Sequence, residues 1–66
     1  MASDLDVLRE RLEAISEELG DIALTRLREA IDAGATRRPA DERRVTRART
    51  AVDRAVAILR TADEAE

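Results

Sequence analysis

Residues 5–31 read LDVLRERLEAISEELGDIALTRLREAI, and large aliphatic side chains recur in them at steps of three and four. Such spacing predicts one apolar face along a long amphipathic helix. Most of the large apolar side chains of the chain lie in this stretch, so the fold must first cover this face. The face consists of Leu5, Leu8, Leu12, Ile15, Leu19, Ile22, Leu27 and Ile31.

The first helix has a clear start and one weak interruption. Ser3 is a suitable N-cap, and Asp6 three residues later completes a short form of the capping box. Gly20 costs a helix about 1 kcal/mol relative to Ala. It is either a C-cap followed by Asp21 as a new N-cap, or a point of close approach inside one helix. Because the apolar spacing runs through Gly20, we expect a continuous helix over about residues 4–33.

A stronger break follows the first helix. Gly34 suits the left-handed residue that ends a helix, and Pro39 suits the first turn of the next one. The sequence therefore predicts a loop at 34–38, a second helix over about 39–62 and an acidic tail at 63–66. The smaller apolar stripe of the second helix consists of Val45, Ala48, Val52, Ala55, Leu59 and Ala62.

A short loop between two long helices makes them antiparallel neighbours. We therefore expect residues 1–66 to form a single all-α domain, a two-helix antiparallel hairpin. In this hairpin Val52 rests over Gly20, and Leu59 lies near Leu12 and Glu13.

One neighbouring helix covers only part of the first stripe, and 66 residues without a disulfide or a metal are near the lower size limit for an independent core. We therefore expect the hairpin to dimerise into an antiparallel four-helix bundle. Another helical protein is the other candidate to cover the stripe. The predicted association surface consists of Leu5, Leu8, Leu12, Ile15, Leu19, Ile22, Val52 and Leu59.

Charge is unevenly distributed along the hairpin. The loop end carries eight arginines against four acids, a net charge of +4, and the open end carries eleven acids against four arginines, a net charge of −7. Few of these charges have favourable partners three or four residues away on their own helix. Head-to-tail packing of two hairpins would bring opposite charges together, which favours an antiparallel dimer.

The composition excludes several classes of function. The chain contains no His, Cys, Lys, Phe, Tyr or Trp. Hydrolase triads, Cys-ligated zinc sites and Glu-x-x-His metal sites therefore lack their central residues, and aromatic stacking on bases is absent. We expect no catalytic residue, no cofactor and no metal.

The sequence also bears on location and origin. No stretch approaches the ~20 apolar residues of a membrane span, and the first residues have no signal-peptide pattern. We expect a cytoplasmic protein with no membrane partner. The exclusive use of arginine as the basic residue indicates a GC-rich, bacterial genome.

Five arginines near the loop form the sharpest local feature. Arginine forks suit phosphate oxygens, and the adjacent helix N-terminus offers free N–H groups, so one interpretation is a phosphate or nucleic-acid contact. The other is a solvated surface that pairs with the acidic end of a neighbouring hairpin, which we favour because acids are interspersed among the arginines. The cluster consists of Arg37, Arg38, Arg43, Arg44 and Arg47.

The segments LRERLEAI at 8–15 and LREA at 27–30 resemble the opening helix of the small all-helical chorismate mutases. The resemblance implies a dimeric enzyme whose active sites are lined with Arg, Lys and acidic or amide residues. Arg11 would match the first-helix arginine that contacts a substrate carboxylate. The resemblance covers under half of the chain, which has no Lys and no room for the third helix of that fold.

The sequence thus predicts a small, non-catalytic interaction or adaptor protein that self-associates through its leucine and isoleucine stripe. The alternative is a nucleic-acid- or ribosome-associated protein that uses the arginine-rich loop end. A chorismate-mutase-like dimeric enzyme ranks third.

Overall fold

Two long helices form the fold. The computed structural model describes residues 3–64, and the side chains up to residue 61. Helix α1 spans Asp4–Asp32, helix α2 spans Ala40–Glu64, and the described residues contain no strand. The helices pack against each other as a hairpin whose Cα atoms extend over 51 × 17 × 11 Å. The predicted all-α helical hairpin is confirmed.

Side-chain capping fixes the start of α1. Ser3 adopts an extended conformation, and its Oγ accepts a hydrogen bond from the Asp6 N–H at 3.1 Å. The Asp6 carboxylate accepts in return from the Ser3 N–H at 3.3 Å. This is the capping box expected from the sequence, and it satisfies N–H groups that have no partner inside the helix.

Helix α1 runs through Gly20 without a break, so Asp21 does not begin a new helix. The helix continues to Asp32, one residue short of the predicted end, and the chain turns at Gly34, where φ is +88°. The N–H of Gly34 donates to the carbonyl of Ile31, and the N–H of Ala35 donates to the carbonyl of Ala30, both at 2.9 Å. These two bonds form a Schellman motif, which reverses the chain after the helix.

Helix α2 is displaced slightly from its predicted limits. The Pro39 carbonyl accepts from the Arg43 N–H at 3.1 Å, so Pro39 stands just before the first helical residue, Ala40. The helix continues to Glu64, two residues beyond the expected end. Residues 65–66 of the predicted acidic tail lie outside the described residues.

The buried Glu42 carboxylate joins the loop to α2. Arg38 donates to it through Nε at 2.7 Å and Nη2 at 3.0 Å, and the Thr46 hydroxyl donates at 2.8 Å. These hydrogen bonds, Arg38 first, lower the pKa of Glu42 below its usual value. The pKa of Arg38 is raised by the same pair. Three hydrogen bonds therefore hold the negative charge of Glu42 in a position that is only 4% exposed.

The contact between the helices buries little apolar surface. Among the described residues, Val56 at 7% exposure is the one hydrophobic residue classed as buried, beside the polar residues Ser16 and Glu42. Eight large aliphatic side chains are 40–62% exposed. Each helix therefore covers only a narrow strip of the other.

We expect Gly34→Ala to lower the free energy of unfolding by about 1 kcal/mol, because an L side chain is strained in the left-handed region. No atom lies within 4 Å of the position that a Cβ would take, so the loss comes from the backbone alone. Urea unfolding followed by far-ultraviolet circular dichroism measures it. Gly34→Asn should lose less, because Asn tolerates this conformation; equal stability of the wild type and both variants would contradict the assignment.

Candidate association surface

Cross-helix contacts distinguish the two long sides of the hairpin. On one side, Arg60 Nη2 donates to Glu13 Oε1 at 3.1 Å. On the other, Arg26 Nη1 donates to Asp41 Oδ2 at 2.8 Å. A helix turns by about 100° per residue. The number of residues between a given side chain and one of these four therefore shows on which side of the hairpin that side chain lies.

Three large aliphatic side chains of α1 lie on the side of Arg26. Leu8, Ile15 and Ile22 are seven residues apart, so they fall within about 40° of one another around the helix. Ser16, which is buried against α2, lies about 100° from them. Their exposed fractions are 48%, 43% and 44%. Helix α2 therefore leaves these three side chains largely uncovered.

Helix α2 adds a shallower strip to the same side. Val52 and Leu59 are half-buried, and they are displaced around α2 from Val56 in the same rotational sense as Ile15 is from Ser16. In an antiparallel pair, the same sense along each helix means the same side of the hairpin. We call this surface the apolar side; it consists of Leu8, Ile15, Ile22, Val52 and Leu59.

The residues of the predicted association surface divide into two groups. One group is half-buried along the line where the helices meet, and the other is exposed at 40–48%. The edge of the stripe that contains Leu8, Ile15 and Ile22 is thus open. Leu5 lies about 80° round from Ile15, in line with the covered edge. Self-association itself stays a prediction. The half-buried group is Leu12, Leu19, Val52 and Leu59, and the exposed group is Leu5, Leu8, Ile15 and Ile22.

The opposite side of the hairpin carries a polar network that the sequence analysis missed. The Ser16 hydroxyl donates to Asp53 Oδ1 at 2.5 Å and accepts from Arg49 Nε at 3.2 Å. The Arg49 guanidinium lies over Gly20, where a Cβ would come within 2.9 Å of its Cζ and Nη1 atoms. Gly20 therefore does mark a close approach.

The residue that approaches Gly20 is Arg49, and the expectation that Val52 rests there is wrong. Val52 points toward the apolar side. Arg49 lies about 60° around α2 from Val52, on the side of Gly20. The residue in the sequence that could have indicated this contact is Ser16. It is a small polar residue in line with the apolar stripe and one turn before Gly20, a pattern that provides both a hydrogen-bonding group and space for a long side chain.

Part of the predicted arginine cluster has partners within the chain. Arg38 is bound to Glu42, and Asp41 is bound to Arg26. Arg9 also pairs with Glu13 at 2.8 Å, which raises the pKa of Arg9. Several charges that the sequence left without a favourable partner on their own helix are therefore paired within the hairpin, either four residues apart or across the turn.

The remaining arginines of the cluster, Arg37, Arg43, Arg44 and Arg47, make no hydrogen bond or ion pair in the part of the chain described. Arg43 acts on Glu42 through its charge alone, helping to lower the pKa of that carboxyl. Arg11, the residue singled out by the resemblance to chorismate mutases, is exposed and also makes no such bond there. It stands alone on the surface rather than in a pocket of converging polar groups.

Two further features bear on chemistry. Among the side chains that the structure describes, up to residue 61, no group of three or more acidic side chains is arranged to hold a metal ion. Neither helix, over its described length, is apolar enough to cross a membrane.

The fold and its surfaces define a helical hairpin with an open row of aliphatic side chains on one side and a polar network between the helices on the other. Comparison of the chain with protein-family models, curated proteins and solved structures finds no significant match.

The position of Arg49 over Gly20 predicts a non-additive pair of substitutions. Gly20→Ala alone should change the free energy of unfolding by less than about 0.5 kcal/mol, because about 1 kcal/mol of helix propensity is offset by displacement of Arg49 from its hydrogen bond with Ser16. In an Arg49→Ala background, the same substitution should stabilise by about 1 kcal/mol. Urea unfolding of the four proteins measures the coupling.

Arg47→Ala provides the matched background for this cycle, because Arg47 lies on the same helix without contacting Gly20. There, Gly20→Ala should have the same effect as in the wild type. If Gly20→Ala stabilised equally in all three backgrounds, Arg49 would not occupy the space over Gly20.

Proposed function

We propose that this chain is a small, non-catalytic interaction or adaptor protein that self-associates through its apolar side to form a homodimeric, antiparallel four-helix bundle. The observation that carries the proposal is the row formed by Leu8, Ile15 and Ile22. These side chains are 43–48% exposed, lie at heptad spacing, and adjoin the half-buried residues of both helices. A row of this kind on a helix is typical of a helix–helix contact.

The total surface of the hairpin supports a missing partner. Its accessible area is 5302 Å², whereas a folded monomer of 7.3 kDa exposes roughly 4,200 Å². The excess, roughly 1,100 Å², is similar to the area of about 800 Å² that each protein buries in a standard interface. One partner on the apolar side would bring the exposed area of the chain close to that of an ordinary small domain.

A second copy of the chain fits the apolar side. In an antiparallel contact between two α1 helices centred on Ile15, Leu8 of each copy lies opposite Ile22 of the other. The same residues then serve both copies, as two-fold symmetry requires. Ala48 and Ala55, which lie on this side of α2, allow the second hairpin to approach closely.

Charge favours the antiparallel orientation. Over residues 3–61, the loop end carries eight arginines and four acids, a net charge of +4, and the open end carries four arginines and eight acids, a net charge of −4. Antiparallel packing sets each loop end beside the open end of the other copy, whereas parallel packing places like charges together. Such long-range charge complementarity selects orientation more than it adds affinity.

Substitutions on the two sides of α1 test the surface. We expect Ile15→Gln/Ile22→Gln to convert the dimer to a monomer in sedimentation equilibrium or light scattering, because amide groups would be buried in the apolar contact. Leu24→Gln/Ile31→Gln is the matched control. Leu24 and Ile31 are 45% and 61% exposed but lie on the side of Glu13, so this variant should remain a dimer.

A wild-type monomer would contradict self-association and direct attention to a different protein as the partner. Loss of the dimer in both variants, or in neither, would show that the apolar side is not the contact.

Spin labels at the loop test the orientation. The chain has no Cys, so Thr36→Cys gives one labelled site per copy. In the antiparallel bundle the two labels should be about 50 Å apart, since some 17 helical residues at 1.5 Å each separate Ile15 from the end of α1 in each copy. A parallel dimer would instead hold the labels near the 17 Å width of one hairpin. Pulsed electron paramagnetic resonance distinguishes these distances, and the short one would overturn the antiparallel arrangement.

A further inference from the structure

The outward face of α2, turned away from α1, carries a row of arginines. Arg47 and Arg54 lie about 180° and 160° around the helix from Val56, which faces α1. Arg43 and Arg44 flank them one turn earlier. The row extends over about 16 Å of helix, given 1.5 Å per residue between its first and last members. We call it the arginine stripe; it consists of Arg43, Arg44, Arg47 and Arg54.

The acids of α2 up to residue 61 point elsewhere and are occupied by other groups. Asp41 is bound to Arg26, Glu42 to Arg38 and Asp53 to Ser16. None of the three lies on the outward face of α2. Apart from the charge interaction between Glu42 and Arg43, the interspersed acids of α2 therefore leave this stripe unneutralised in the folded chain.

The arginines of the stripe have free guanidinium groups. Over the part of the chain that the structure describes, none of the four makes a hydrogen bond or an ion pair. Arg47 and Arg54 both line a shallow groove with Thr46, Thr50 and Ala51. Arg43 and Arg47 are four residues apart on one helix face, where like charges repel. Bound anions would relieve this repulsion.

We propose that the arginine stripe binds the phosphate backbone of a nucleic-acid duplex. Guanidinium groups are planar and suit two oxygens of a phosphate. A duplex presents a phosphate about every 3.4 Å along the axis of each strand, so a stripe of about 16 Å faces several phosphates at once. A duplex fits better than a single strand because the chain has no aromatic residue on which unpaired bases could stack.

This site and the apolar side are separate surfaces. Arg43, Arg47 and Arg54 lie about 120–160° around α2 from Leu59, so a second copy on the apolar side would leave them accessible. Arg44 lies about 60° from Leu59, at the edge of that contact. The presence of two stripes in one assembly rests on the proposed dimer. Antiparallel pairing of the two α1 helices sets the two α2 helices side by side. Two stripes then face the same side of one bundle.

Fluorescence anisotropy of a labelled duplex of about 20 base pairs tests the binding, with DNA and RNA duplexes of the same sequence as two arms. The logarithm of the affinity should fall with the logarithm of the salt concentration between about 50 and 200 mM, with a slope near −3.6 for one stripe and about twice that for two. Equal binding of both duplexes supports backbone contact, and preference for one of them supports it and identifies the nucleic acid.

Two variants with the same net charge isolate the stripe. Arg47→Gln/Arg54→Gln and Arg11→Gln/Arg28→Gln each lower the formal net charge from −3 by two, and none of the four arginines is paired in the described residues. The first variant should bind at least tenfold more weakly, and its salt slope should be smaller by about 2 per stripe. The second should bind within about twofold of the wild type.

Equal weakening by both variants would overturn the proposal, because binding would then follow net charge alone. So would the absence of binding to either duplex at about 100 μM protein, the weak end of non-specific affinities. Light scattering of the same samples reports dimer formation separately. The proposal would also be overturned if the wild type formed assemblies larger than a dimer and only Arg47→Gln/Arg54→Gln removed them. The stripe would then pair with an acidic surface of another copy.

Discussion

The apolar arc of α1 is wider than one neighbouring helix can cover, and the other properties of the chain follow from this. Leu12 and Leu19 are half-buried against α2, while Leu8, Ile15 and Ile22, on the same helix, stay more than 40% exposed. The chain contains no Cys for a disulfide, and neither Cys nor His for a thiolate- or imidazole-ligated zinc site, with which to compensate for a thin core. Association is the remaining physical means of covering that surface, which is why it leads the functional proposal.

The contact within the hairpin is unusually polar for its size. Ser16 sits at its centre with Asp53 and Arg49 as partners, and Glu42 is buried with Arg38 and Thr46. Hydrogen bonds of this kind contribute little net stability, but displacing one partner costs much more free energy because the other polar group stays buried without a hydrogen bond. They therefore favour one alignment of the two helices over neighbouring alignments. Contacts of Ala and Val with Leu alone would differ little in free energy between those alignments.

Side chains of different chemistry occupy different faces of the hairpin. The polar network lies on one side, the aliphatic row on the other, and unpaired arginines on the back of α2. This separation explains how an acidic chain with a net charge of −3 presents a locally basic surface. The two proposed associations also use different side chains for their main contacts, aliphatic ones for the second copy and guanidinium groups for the duplex.

Local features of the fold could be predicted from the sequence, and the facing of the helices could not. Sequence spacing specifies interactions between backbone groups a few residues apart. These interactions determine the Ser3 capping box, the turn at Gly34 after α1 and the lengths of both helices. The spacing also predicted the width of the apolar arc. Which edge of that arc α2 covers, and that Arg49 rather than Val52 lies over Gly20, depend on how each helix is rotated about its axis. Only the packing of residues more than thirty positions apart decides that rotation, because it is there that Ser16 finds Asp53 and Arg49.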